Sequence, residues 1–331
     1  TLYAARAGAL EARGVFALAS RESALVVNNL LLAVSSLVVF VGTVWPLIAE
    51  LLWDEKLSVG PPFFNAAFTP FMILLALALP IGAMLPWKRA RLAPAFRKLT
   101  PVFILALAVM ALIWAVQTGR SAMGPIGAAL GVWLVGGAVV DLLNRAGRGS
   151  IKEKLPRLAR LPGADWGRGI AHAGLGVTMF GIAGLMAWEM EDIRVAQIGE
   201  PYLVGDYEIT LNNVQRIQGP NYIATQADLT VTNEGRLTAR LYPEKRVYPV
   251  AQMPTTEAAI SNGILRDIYL VIGDPQQGGG WAVRTYIKPL ANWSWAGSLM
   301  MAIGGLFSLA DRRTRVAVTG RKKLPVGTPA E

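Results

Sequence analysis

The chain has no cysteine and a single histidine, His172, among its 331 residues. Without cysteine there are no disulfides, no thiol redox chemistry and no thiolate metal site. Any exported domain is held together by packing alone. If a metal cofactor binds, His172 is its one strong nitrogen ligand in this chain, and a histidine partner has to come from elsewhere. Charge is scarce as well, at 16% of residues, against about 25% in soluble domains. With 53% hydrophobic residues and a mean hydropathy of +0.41, the composition is that of a polytopic membrane protein. No Ser-His-Asp arrangement, phosphate-cradling glycine loop or carboxylate pair in an apolar setting occurs, so hydrolysis and phosphoryl transfer lack their machinery. Thr1–Ser20 is broken up by Arg6, Glu11 and Arg13 and has no continuous apolar core, unlike a signal peptide.

Six apolar segments are long enough to cross a bilayer, roughly Ala24–Leu52, Phe68–Pro86, Pro101–Gln117, Met123–Leu143, Ile170–Trp188 and Trp293–Ala310. Pro46 and Pro80 lie inside such runs, where kinks are expected. The basic residues sort to one side. Arg6, Arg13 and Arg21 precede the first span. Lys88, Arg89, Arg91, Arg97 and Lys98 lie between the second and third. Arg145, Arg148, Lys152, Lys154, Arg157, Arg160 and Arg168 lie between the fourth and fifth, and Arg312, Arg313, Arg315, Arg321, Lys322 and Lys323 follow the sixth. The positive-inside rule makes that side cytoplasmic. The chain's net charge of +10 therefore reflects topology rather than nucleic-acid binding. Trp53, Trp87, Trp114, Trp188, Trp293 and Trp295 sit near span ends, as an aromatic belt would place them.

The expected organisation is a cytoplasmic segment at 1–23, a five-helix membrane region at 24–188 and a periplasmic β-domain at 189–292. A last membrane helix at 293–310 and a basic cytoplasmic tail at 311–331 complete it. The 189–292 segment has alternating runs such as Tyr207–Leu211 and Ala227–Val231. Asn233-Glu234-Gly235 and Gly219-Pro220-Asn221 read as hairpin turns. Further strands are expected at Val195–Ile198, Arg236–Leu241, Arg246–Val250, Asp267–Ile272 and Trp281–Ile287. Gln276–Gly280 reads as a flexible loop. About seven strands suggest an antiparallel barrel or sandwich.

His172 lies in the run Gly167-Arg-Gly-Ile-Ala-His-Ala-Gly-Leu-Gly-Val177, about one helical turn inside the cytoplasmic face. Its helical face continues through Gly176, Met179 and Ala183. Small neighbours leave room for a close helix or a flat ligand. Two readings stand: a packing histidine bonded to a neighbouring helix, or a haem ligand. Asn28 and Asn29, near the cytoplasmic end of the first span, read as interhelical hydrogen-bond groups or as support near a cofactor's polar edge. Arg21 and Glu22 read as a weak surface pair. Met179, Met186, Met300 and Met301 read as packing residues. Glu244, Lys245 and Arg246 read as a solvated charge cluster. A transporter is the first alternative, although mid-membrane charges and repeat symmetry are missing. A structural scaffold without haem is the second.

The stretches Ser20–Leu31 (SRESALVVNNLL), Pro61–Thr69 (PPFFNAAFT), Gly169–Val177 (GIAHAGLGV), Leu241–Val250 (LYPEKRVYPV), Thr256–Ile260 (TEAAI), Trp281–Leu290 (WAVRTYIKPL) and Trp293–Gly305 (WSWAGSLMMAIGG) carry a resemblance. In order, and over almost the whole chain, they resemble the C-terminal half of the CcmF family, the haem-lyase component of bacterial system I cytochrome c maturation. The resemblance implies a cytoplasmic-membrane protein that joins haem to apocytochrome c at a Cys-x-x-Cys-His motif. It also implies haem supply by the periplasmic haem chaperone CcmE, work alongside other maturation-complex subunits, and a b-type haem held between two transmembrane histidines. His172 matches the second of these, which makes it the expected axial ligand of the haem iron. The other ligand is expected from the N-terminal half. The family's tryptophan-rich periplasmic loop and the two histidines flanking it have no match here. The chain thus reads as a fragment or one subunit of a split protein, not expected to be catalytic alone. No catalytic residue is assigned.

Overall fold

The computed structural model describes residues 17–250 and 252–311. Arg6, Arg13, most of the expected cytoplasmic segment and the basic tail residues Arg312 to Lys323 lie outside these. Five long helices come first, interrupted by a short one: α1 Arg21–Trp53, α2 Pro61–Met84, α3 Leu92–Val116, α4 Met123–Arg145, α5 Ile151–Leu158 and α6 Gly163–Trp188. Ten strands follow, and α7 Ala291–Ala310 closes the described chain. Among the described residues all helices but α5 are long and apolar enough to cross a membrane.

Local chemistry explains where these helices start. Ser20 caps α1, its Oγ accepting from the Ser23 amide at 3.1 Å. Pro61 and Pro62 occupy the first turn of α2, where a missing N–H costs nothing because that donor has no intrahelical partner. Pro46, Pro70, Pro80 and Pro101 lie further in. α5 falls in what the sequence suggested was only a basic loop. Arg157 ties it down by donating to the carbonyls of Ala146 and Arg148 at 3.4 and 2.6 Å.

Contacts divide the chain into two compact units, split within α3, α4, α6 and α7. The first holds α1, α2, α5 and the adjoining parts of the four shared helices. Glycines set its close approaches: a Cβ on Gly82 would lie 3.0 Å from Ala24, and one on Gly167 would lie 2.5 Å from the Gly304 carbonyl oxygen. Asp311 Oδ2 accepts from the Ala164 amide at 3.0 Å, satisfying a free donor at the start of α6.

The second unit holds the remaining helix parts and the β-domain. Gly124, Gly127 and Gly131 of α4 face Ala187, Ala183 and Gly176 of α6, a small-residue seam of the kind that lets membrane helices pack closely. The strands are β1 Met190–Ala196, β2 Pro201–Val204, β3 Tyr207–Gln218, β4 Ile223–Asn233, β5 Arg236–Leu241, β6 Glu244–Tyr248, β7 Met253–Glu257, β8 Ala259–Ser261, β9 Arg266–Pro275 and β10 Trp281–Pro289. They form two antiparallel sheets, ordered β1-β10-β9-β8 and β2-β3-β4-β6-β7, with β5 also paired to β4. Two separate sheets make a sandwich, not a barrel. Ile209, Leu211, Leu229 and Val231 from one sheet meet Leu270, Ile272, Val283 and Ile287 from the other in a continuous core. At the β4–β5 turn Glu234 and Gly235 both take positive φ, 49° and 75°, as a type I′ hairpin requires. Gln276–Gly280 is a tight β9–β10 turn, closed by Gln276 N donating to Gly280 O at 3.1 Å.

The β8–β9 segment is fastened to the first turn of α7. The Leu290 amide donates to Leu265 O at 2.8 Å. Asn292 Nδ2 donates to Gly263 O at 2.8 Å and to Asp267 Oδ1 at 2.9 Å. Trp293 Nε1 donates to Ile264 O at 2.9 Å.

Candidate functional site

His172 opens onto a cavity of about 200 Å³ within the first unit. The wall is apolar at Leu25, Leu31, Leu75 and Leu79, small at Ala24, Ala78, Gly82 and Ala83, and polar at Arg21, Asn28, Arg168 and His172. Helix geometry aligns these groups. Arg21, Ala24, Asn28 and Leu31 recur at the three- and four-residue spacing of one face of α1, and Arg168 and His172 stand one turn apart on α6. Asn28 lies on the wall with His172. Asn29 is exposed, outside the wall, and accepts from Asn28 Nδ2 at 3.3 Å. No methionine lines the cavity.

Beside His172 lies a charged ring of four side chains from α4 and α6. Asp141, 3% exposed, accepts from Arg145 Nε at 3.2 Å and lies 3.2 Å from Arg168 Nη2. Asp165 Oδ1 lies 3.0 Å from Arg168 Nη2 and 3.1 Å from Arg145 Nη1. Burying charges away from water is costly unless they are paired and bonded, and here each carboxylate meets two guanidinium groups. One atom is left over: Arg168 Nε is buried and has no hydrogen-bond partner. Arg21 stacks on Trp87, its guanidinium carbon 5.1 Å from the ring centroid. It does not pair with Glu22 as its position in sequence suggested. Glu22 instead accepts from the Lys88 amide at 2.8 and 3.0 Å, in a backbone segment where Lys88 has φ of 65°.

From sequence alone Arg21, Arg145 and Arg168 read as topological charges, and nothing singles out Asp141 or Asp165. The Asp141–Arg145 and Arg168–His172 spacings of four were the available signal, since such pairs share a helix face.

The residues suit the edge of a haem. His172 offers an imidazole to which no hydrogen bond is made among the described residues. The leucines give an apolar wall, the small residues admit a flat ring, and the guanidinium groups suit acidic substituents. A volume of about 200 Å³ is below the 300–1,000 Å³ typical of a pocket that encloses its ligand. This wall would therefore cover only one side of such a group.

The sandwich carries its own charge pairs. Asp228 accepts from Arg240 Nε at 2.9 Å and from Asn212 Nδ2 at 3.3 Å. The Arg240 guanidinium holds the Asp228 carboxyl below the ordinary carboxylate range. Glu244, read from sequence as solvated, is buried. It accepts from Gln226 Nε2 at 2.7 Å and from Arg246 Nε at 2.8 Å. That bond raises the Arg246 pKa. Lys245 instead pairs with Asp274 at 2.5 Å.

Comparison with known proteins places the chain in context. Residues 187–289 match the family model described as the CcmF C-terminal beta-sandwich. The cytochrome c-type biogenesis protein ccl1 of Rhodobacter capsulatus is 58% identical over 97% of this chain and 48% of its own length. The cytochrome c-type biogenesis protein CcmF of Escherichia coli is 38% identical over 98% of this chain and 49% of its own length. A solved structure named cytochrome c heme lyase CcmF superposes with a TM-score of 0.65 at 25% identity, covering 89% of this chain and 46% of that one. The chain spans about half the length of the curated relatives it matches.

Proposed function

Because the chain is a homologue of the CcmF-type cytochrome c biogenesis proteins over nearly its whole length, and of about half of theirs, we propose that it serves in attaching haem to apocytochrome c and that His172 is an axial ligand of a b-type haem. The observation that carries this reading is the His172 imidazole on a leucine-lined cavity beside two arginines and an amide. Haem bound there supplies a one-electron redox couple at its iron. His172 offers its ring nitrogen to the metal as a neutral ligand. The leucines surround that nitrogen with an apolar wall, and the glycine contacts of α6 with α7 fix where the imidazole stands. Asn28 contributes an amide to the same wall. A second ligand would come from the part of the relatives' length that this chain does not span.

The same reading puts the basic loops on the cytoplasmic side and the sandwich in the periplasm, as the positive-inside rule favours. The sandwich is then a docking surface for the maturation partners, the haem chaperone CcmE and apocytochrome c among them. With it go the domain limits proposed here, 1–23, 24–188, 189–292, 293–310 and 311–331, the sandwich lying between the fifth and sixth spans.

The test is a reduced-minus-oxidised absorbance spectrum of the chain co-expressed with the segment it lacks relative to its relatives. A b-type spectrum in wild type that is lost in His172→Ala, at equal protein level, supports the assignment. An unchanged spectrum removes His172 from the site and leaves a scaffold with a docking domain.

A further inference from the structure

Arg168 stands on the cavity wall with its hydrogen bonding incomplete. Its Nη2 is taken by Asp141 and Asp165, which hold the guanidinium plane in place. Its Nε is buried and unpartnered. A buried donor without an acceptor is rare in native structures and calls for a missing partner. The local charge points the same way. Arg145 and Arg168 share the two carboxylates of Asp141 and Asp165, and Arg21 adds a third guanidinium at the same wall, so within this cluster one positive charge is uncompensated. Arg21 reaches the same wall from α1, and among the described residues its guanidinium forms no ion pair.

We propose that Arg168 and Arg21 bind the carboxylate edge of the cofactor that His172 ligates, with Asp141 as the residue that positions Arg168. The proposal rests on the haem reading above and deepens it. Arg168 and His172 are four residues apart on α6, about 6 Å along the helix axis. A metal ligand thus lies one turn from an anion-binding fork. A flat macrocycle with its metal at the centre and its acidic substituents on one edge needs that order of groups: nitrogen for the metal, apolar walls for the ring, guanidinium groups at the rim. Asp141 touches no ligand. It holds Arg168 by occupying Nη2, which leaves the rest of the guanidinium for the incoming carboxylate.

The same anionic oxygens occur on a lipid phosphate, and the test separates the two. The membrane complex containing this chain is purified in nanodiscs, stripped, and titrated with haem b or with its dimethyl ester, following the absorbance band of the bound form. Wild type is expected to bind the diacid about tenfold or more tightly than the diester, the scale of a charge-assisted hydrogen bond. Arg168→Gln and Arg21→Gln are each expected to weaken diacid binding and leave diester binding unchanged. Asp141→Asn shrinks the ratio without removing the band. Equal affinity for diacid and diester in wild type overturns the proposal and leaves His172 ligation standing, and this comparison needs no variant to fold. Failure of both forms to give a bound band defeats the haem reading itself. A preference for the diacid that vanishes when anionic lipid is added assigns the arginines to a headgroup phosphate and overturns the proposal; an unchanged preference supports it.

Discussion

Gly131 and Gly176 approach so closely that a Cβ built on Gly131 would stand 2.8 Å from the Gly176 carbonyl oxygen. This is where α4 and α6 pack backbone to backbone, four residues beyond His172 along α6. Replacing Gly131 with alanine gains about 1 kcal/mol of helix propensity. It costs about 1–3 kcal/mol in overpacking against backbone that cannot yield. The cost wins. Gly131→Ala is expected to lower the melting temperature of the purified protein, and Gly131→Leu to lower it further. Thermal unfolding in detergent reads both, and an unchanged midpoint in the leucine variant would show that the helices are free to part.

The sandwich has no disulfide, so its stability rests on the two facing rows of side chains. Leu229 and Leu270 are fully buried, at 0% exposure each. Truncating either to alanine is expected to cost about 2–5 kcal/mol, the range for a buried leucine that leaves a cavity. Denaturant unfolding followed by tryptophan fluorescence measures it. A loss under about 1 kcal/mol would mean that the core collapses around the hole.

Among the anchors of the β8–β9 segment, the Asn292 amide reaches two acceptors. Asn292 Nδ2 bonds both Gly263 O and Asp267 Oδ1, and Asp267 is 2% exposed. Asn292→Ala is expected to cost about 1–3 kcal/mol, because a buried acceptor loses a donor. Faster hydrogen exchange at the Gly263 and Leu290 amides, with the strands of the opposite sheet unaffected, is the local signature. Uniform acceleration across the domain would contradict a local anchor.

Acid sensitivity has a named source in Asp228. Its carboxyl is held below the ordinary range, first by the Arg240 hydrogen bond and further by Asn212. A group whose folded pKa is lowered adds stability above its unfolded pKa and loses it as pH falls through the folded value. The wild-type advantage over Asp228→Asn is therefore expected in full at neutral pH and gone at the acid end. Melting temperatures of the two proteins across that range test it. A gap that widens on acidification would reverse the sign and sink the assignment.

Much of the architecture was legible because its signals are periodic. Long apolar runs gave the six spans, and alternation with Asn233-Glu234-Gly235 gave the central hairpins. The helices extend beyond the apolar runs because caps, not hydropathy, set their ends, as Ser20 and Pro61 show. Strands β2, β7 and β8 were missed because three to five residues carry too little alternation. α5 was missed because charges and Pro156 hide its helicity, which Arg157 secures through contacts to the chain before it. At the candidate site His172 and Asn28 were visible as polar groups in apolar runs. Asp141 and Asp165 were not, because a carboxylate near a span end reads as a surface charge until the arginines of another helix are seen against it.

The most direct test of the central claim is chemical rescue at His172. In His172→Gly, co-expressed with the segment the chain lacks relative to its relatives, the b-type spectrum is expected to be absent and to return when imidazole is added, the free ring taking the place of the missing side chain. A wild-type spectrum in the glycine variant without imidazole would contradict the claim that this residue ligates haem.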